Sequence, residues 1–164
     1  MLVVGIDPGT ATTGYAFVSE AAEDGCLRAV DFGVVLTPNT LPQQERLLII
    51  YRKLSELLAL HRPAYGAVEK LFFQRNVTSA IAVGQARGVA LLALAEAGVQ
   101  VNEYSPLEVK QAVAGYGAAD KKQMQQMVRL LLGLQEVPQP DDAADALALA
   151  ICHLHTNGWL QVSR

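Results

Sequence analysis

The stretch that most constrains this chain is Val3-Val4-Gly5-Ile6-Asp7-Pro8-Gly9-Thr10. A short unbroken run of apolar and glycine positions leads into a single carboxylate, and a turn signal follows at once. Such a run fits a strand buried on both faces. Pro8-Gly9 bars its continuation, so Asp7 is expected at the strand end, on the lip of the fold. A carboxylate held there is a well-aimed ligand. Asp-Pro-Gly is also ordinary turn chemistry, so this stretch alone leaves both readings open.

The pattern around it predicts an α/β domain. Residues 2–7, 14–19 and 28–36 read as strands joined by short links, an antiparallel meander. Thr40 and Gln43 have capping-box spacing, and Pro42 suits a first turn, so a helix is expected over 41–60, ended by Arg62-Pro63. Residues 64–68 repeat the opening design, an apolar run delivering Glu69. A small-residue helix over 78–97 ends at Gly98. Its Gly84 and Gly88 lie one turn apart, as for tight packing inside the fold or for pairing with a second copy of the chain. A strand over 99–104 precedes a second capping box, Ser105-Pro106-Leu107-Glu108, with a helix to Ala114. Asp120 caps a helix over 121–132. The last helix starts at Asp141 or Asp142, covers 143–155, and leaves a frayed tail after Gly158.

With 164 residues, 51% of them hydrophobic, the chain suits one domain, expected over residues 1–158 with a flexible tail at 159–164. No apolar run is long enough to span a membrane, and no signal peptide is evident. Cys26 and Cys152 have neither metal nor disulfide-framework spacing, which implies a reducing cytoplasm. The net charge of −3 does not advertise a nucleic-acid binder, but its distribution is uneven. Residues 70–129 are net +3 between two segments that are each net −3. Local sign matters more than the total when an anion is steered. Within that basic middle, Phe72 and Phe73 lie between Lys70 and Arg75, a composition suited to stacking on unpaired bases. His61, His153 and His155 lack ligand spacing and read as surface or packing residues.

The remaining acids make the opening aspartate more than a turn residue. Asp142 and Asp145 are three apart on one helix face, separated by alanines. If these two converge with Asp7 and Glu69, repulsion mounts: two charges about 5 Å apart repel by roughly 3 kcal/mol at an effective dielectric near 20. Hard divalent cations with oxygen ligands would relieve it. Two strand-end acids and two helical acids therefore form a candidate two-metal site for phosphodiester hydrolysis, with Mg2+ or Mn2+ as the ions.

Together, Gly-Ile-Asp7-Pro-Gly-Thr, Val-Glu69 followed by Phe72, Gly84-Gln85-Ala86-Arg87-Gly88 and Asp142-Ala-Ala-Asp145-Ala resemble the RuvC family of Holliday-junction resolvases, in order and at similar spacing over nearly the whole chain. The resemblance implies a ribonuclease-H-like fold: a five-stranded mixed sheet flanked by helices on both faces. It implies a metal-dependent crossover junction endodeoxyribonuclease of DNA recombination and repair. Such an enzyme is a homodimer that nicks two strands of like polarity symmetrically, partnered by the branch-migration proteins RuvA and RuvB. Asp7, Glu69, Asp142 and Asp145 match the catalytic, metal-binding acids, with Asp141 one register away. Phe72 matches an aromatic that stacks at the crossover, and the adjacent Phe73 shares that candidacy. Lys110 and Lys121 match lysines near the scissile phosphates, with Lys122 as a further candidate. The opening motif, with Gly14, also resembles the phosphate loop of actin-like ATPases, but neither a second phosphate loop nor an adenosine site is evident. A third reading, a junction-binding module without catalysis, leaves four acids beside a DNA backbone without a use.

Overall fold

The computed structural model describes residues 1–23, 25–70 and 77–162, with side chains given except at 77–79 and 157–162. Among the described residues there are five strands: β1 (Leu2–Asp7), β2 (Thr12–Glu20), β3 (Leu27–Leu36), β4 (Tyr65–Glu69) and β5 (Gln100–Tyr104). Five helices accompany them: α1 (Gln43–His61), α2 (Val77–Glu96), α3 (Pro106–Ala114), α4 (Lys121–Leu131) and α5 (Asp141–Val162). The sheet order is β3-β2-β1-β4-β5. β1, β2 and β3 form the expected antiparallel meander, and β4 and β5 run parallel to β1. The sheet is therefore mixed.

Alternation along the strands divides the interior into two layers. Val3, Ala16, Val18, Ala67 and Tyr104 face α5, α3 and α4. Val4, Ile6, Phe17 and Val68 face α1 and α2, packing with Ile50, Leu54, Ala90 and Leu94. Parity then fixes the direction of the strand-end acids. Asp7 shares its face with Val3 and Gly5, and Glu69 shares its face with Ala67. Both point toward α5.

Two glycines set how closely α5 lies on that face. A Cβ at Gly5 would collide with the Ala146 carbonyl oxygen, and one at Gly14 with the Asp142 carbonyl oxygen. Ala143, Ala144, Ala146 and Ala150 complete the contact from the helix side, all of them buried. The start of α5 is thereby seated against Gly14, which pairs with Asp7 in the β1–β2 register.

The helix caps follow the sequence with one exception. Ser105 and Glu108 form the expected capping box, as do Asp120 and Gln123. The Thr40–Gln43 box does not form. Pro42 is the N-cap of α1 and makes no side-chain cap bond. The Gln43 amide donates instead to Gln85 Oε1 at 2.9 Å and to Thr10 Oγ1 at 3.4 Å. Tertiary partners outcompete the local one. α5 also runs to Val162, beyond the 155 expected from its apolar pattern.

Candidate active site

Parallel pairing places the two strand-end acids side by side. Ile6 is opposite Val68 in the β1–β4 register, so Asp7 and Glu69 leave adjacent strands at the same level. The turn after Asp7 is tied down from three sides. Thr10 Oγ1 donates to the Ala82 carbonyl (2.9 Å), Thr13 Oγ1 to the Gly9 carbonyl (2.6 Å) and Thr37 Oγ1 to the Thr10 carbonyl (2.6 Å). Thr10, Thr13 and Thr37 are buried. Thr10 ends the opening motif, whereas Thr13 and Thr37 carried no chemical signal in the sequence. Their role is to hold the backbone beside an acid.

Asp7, Glu69 and Asp145 line one open cavity of about 250 Å3, together with Lys110 of α3 and Lys121 of α4. The electrostatics show how strongly the acids share this space. The Asp7 carboxyl is pushed up to about 7, first by burial, then by the charges of Asp145, Glu69 and Asp142, with Lys121 pulling the other way. Glu69 is raised by burial and then by Asp145. Asp145, the most solvent-open of the three, is still raised by loss of water around it. Lys121 lowers it, and Asp141 and Asp142 raise it further. Asp142 does not line the cavity, yet its charge reaches both Asp7 and Asp145.

Asp141 is engaged elsewhere. It pairs with Lys121 Nζ at 2.7 Å and accepts from the Gln125 amide at 2.8 Å. Those partners, Lys121 first, hold its carboxyl below the usual range. The Asp141 pairing in turn raises Lys121.

Other residues singled out in the sequence are more dispersed. Lys70 follows Glu69 and lies 3.6 Å from Glu108. Lys122 is exposed on α4 and does not line the cavity. Phe72, Phe73 and Arg75 lie outside the described residues. His61 stacks on Phe17 with ring centroids 4.2 Å apart and meets Asp31 at 3.0 Å. His153 is fully buried against Tyr104, and His155 bonds the Ala112 carbonyl. All three histidines pack or bond locally, as their spacing implied. Gly84 and Gly88 have open space where a Cβ would stand, so among the described residues they serve no tight internal packing.

Among the described residues, no group of three or more His, Cys, Asp or Glu side chains closes around a point that could hold a metal ion. The acids line a cavity instead. The donor set nevertheless fits a hard divalent cation: every candidate ligand is a carboxylate oxygen, and Asp7, Glu69 and Asp145 are all held above their ordinary range by burial and mutual repulsion.

This sheet order, with acids at the ends of two neighbouring parallel strands and at the start of a helix packed across them, defines a ribonuclease-H-like nuclease fold. Comparison with known proteins narrows the class. The family profile for crossover junction endodeoxyribonuclease RuvC matches residues 3–153. Crossover junction endodeoxyribonuclease RuvC of Chloroflexus aurantiacus is 59% identical over 161 residues, 98% of this chain and 97% of that protein. Its counterpart from Chloroflexus aggregans is 60% identical over the same shares. The Thermus thermophilus RuvC structure superposes with a TM-score of 0.89 at 42% identity, covering 97% of this chain and 96% of that one. A structure of T. thermophilus RuvC in complex with a Holliday junction substrate gives 0.88 at 39% identity, with the same coverage. The chain belongs to the RuvC family of crossover junction endodeoxyribonucleases.

Proposed function

We propose that the protein resolves four-way DNA junctions by paired, symmetric nicks in strands of like polarity, during recombination and repair. The observation that carries this reading is the cavity in which Asp7 feels the charges of Glu69, Asp142 and Asp145 and which two lysines also line. Acids alone would repel a phosphodiester. Acids that hold cations, with lysines lining the same cavity, would receive one.

Asp7, Glu69, Asp142 and Asp145 are the ligands in this proposal, and two Mg2+ or Mn2+ ions per site would supply an activated water and stabilise the leaving oxygen. Rigid strand ends aim Asp7 and Glu69, and the seat on Gly5 and Gly14 aims the start of α5. Lys110 and Lys121 would hold the scissile phosphate's charge within the cavity, with Lys122 and Lys70 contacting neighbouring phosphates. Lys121 is released from Asp141 when a phosphate competes for it. Phe72 and Phe73, with Arg75 beside them, would stack on bases opened at the crossover.

A homodimer accounts for paired nicks. Exposed Ile81 and Leu92 and the open backbone at Gly84 and Gly88 support α2 as the pairing surface. The family resemblance supports RuvA and RuvB as partners in a cytoplasmic pathway. No described helix is long and apolar enough to cross a membrane. Residues 1–158 would act as one nuclease domain, with residues 159–164 as its tail.

The test is a synthetic four-way junction incubated with the protein and Mg2+ or Mn2+. Paired nicks on the junction and none on linear duplex are expected. A protein that binds the junction and leaves it intact in the presence of either metal would overturn the enzymatic reading.

A further inference from the structure

The end of β4 contains an irregularity that the chain corrects from the opposite face of the sheet. The Lys70 N–H donates to the Tyr104 carbonyl of β5 at 2.8 Å. Successive residues of a strand turn their backbone groups to opposite neighbours, so the Glu69 carbonyl faces β1. With Ile6 opposite Val68, its next partner in the parallel ladder would be the N–H of residue 8. Residue 8 is proline and has no N–H. The sequence that ends β1 after Asp7 thus removes the donor that would fix the backbone of Glu69.

Arg87 fills that position. Its Nε donates to the Glu69 carbonyl at 3.3 Å. Its Nη2 lies 2.7 Å from Glu103 Oε2 on β5. The Arg87 side chain is only 16% exposed, which strengthens a charge-assisted bond. Arg87 comes from α2, beneath the sheet, while the Glu69 carboxylate points to the α5 side. The arginine therefore touches the backbone of the acid and leaves the cavity clear.

We propose that Arg87 is a positioning residue for Glu69: its guanidinium replaces the ladder hydrogen bond that Pro8 withholds, and Glu103 holds the guanidinium in register. The inference rests on the proposed nuclease reading and adds how one of its acids is aimed. A fork is needed, because one side chain must reach a carbonyl and a carboxylate together, and lysine presents a single point of charge.

The experiment compares wild type, Arg87→Ala, Glu103→Gln and the double variant Arg87→Ala/Pro8→Ala. Mn2+ affinity is read by calorimetry, junction affinity without metal, and cleavage in a single turnover. Partners that orient a metal ligand typically matter by roughly 10–100-fold, so Arg87→Ala should lose about that much in Mn2+ affinity and cleavage rate while binding the junction as wild type does. Glu103→Gln should shift both in the same direction by less. Pro8→Ala returns an N–H to residue 8 and should recover part of the loss. Wild-type Mn2+ affinity in Arg87→Ala overturns the inference, as does a double variant no better than Arg87→Ala. If Arg87→Ala does not fold, Glu103→Gln carries the test, and unchanged Mn2+ affinity there overturns it. A wild-type protein that never cleaves junctions refutes the nuclease reading instead; one that cleaves while Arg87→Ala matches it refutes only this inference.

Discussion

Replacing Asp7 by asparagine should make the metal-free protein more stable at neutral and alkaline pH while abolishing cleavage. In the folded chain the Asp7 carboxyl titrates near 7, against 3.8 ordinarily, because it is buried beside three other acids. The sign follows from proton binding. Between about pH 4 and pH 7 the folded state holds a proton that the unfolded state has released. Stability therefore falls as pH rises through that window and levels off above it. One pKa unit corresponds to about 1.4 kcal/mol, so the full shift is worth roughly 4 kcal/mol; sharing among coupled acids makes about 2–4 kcal/mol the working range. Asp7→Asn removes this charge. Urea unfolding followed by circular dichroism, with chelator present, reads the difference. The variant should match wild type near pH 4 and exceed it by about 2–4 kcal/mol at pH 8. Added Mg2+ should then stabilise wild type more than the variant, since only ligands of the native state raise stability by mass action. A variant less stable than wild type at pH 8, or a difference that is the same at both pH values, would refute the reasoning.

Three further perturbations separate the remaining roles. Asp142→Asn should abolish cleavage of a four-way junction, whereas Asp141→Asn should retain it, because Asp141 is committed to Lys121 and Gln125; equal loss in both would refute that division. Gly5→Ala should lower stability by roughly 1–3 kcal/mol and reduce cleavage, because a methyl there meets the Ala146 carbonyl and must lift α5; unchanged unfolding and cleavage would show that the helix has slack. Lys121→Ala should weaken junction binding and flatten the dependence of log affinity on log salt by about 0.9 for one lost phosphate contact on duplex arms; an unchanged slope would place Lys121 away from the phosphates.

Much of the fold was legible because its signals are local. Apolar runs ending in Asp7 and Glu69 gave β1 and β4, and serine or aspartate at the caps gave the starts of α3 and α4. The misreading at Thr40 and Gln43 has a non-local cause. Capping-box spacing states what a side chain could reach nearby, and Gln43 found Gln85 and Thr10 across the fold. The glycines divide in the same way. Gly84 and Gly88 drew attention by helical spacing, yet among the described residues nothing crowds them. Gly5 and Gly14, which looked like ordinary strand residues, determine how closely α5 approaches. Periodicity detects a face but not the depth to which that face is buried. Spacing alone also left Asp141 and Asp142 both open as the third acid; the contacts that distinguish them, Asp141 with Lys121 and Gln125, join residues remote in sequence.

These contacts explain why the acids converge despite their repulsion. Nothing in the chemistry of four carboxylates draws them together. Parity sends Asp7 and Glu69 to one face, and parallel pairing puts them at one level. The apolar layer beneath α5 then presses the helix onto Gly5 and Gly14, carrying Asp145 into the same cavity and Asp142 near enough for its charge to reach Asp7. Burial of Leu147, Ile151 and Leu154, each nearly or fully inaccessible, contributes on the order of 1.5–3 kcal/mol per side chain, enough to outweigh a repulsion of a few kcal/mol. The acids are forced together by residues that never touch the cavity. Weakening the α5 layer should therefore let the acids spread before the fold is lost, so a mild core substitution such as Ile151→Val can loosen the candidate metal site without altering any acid.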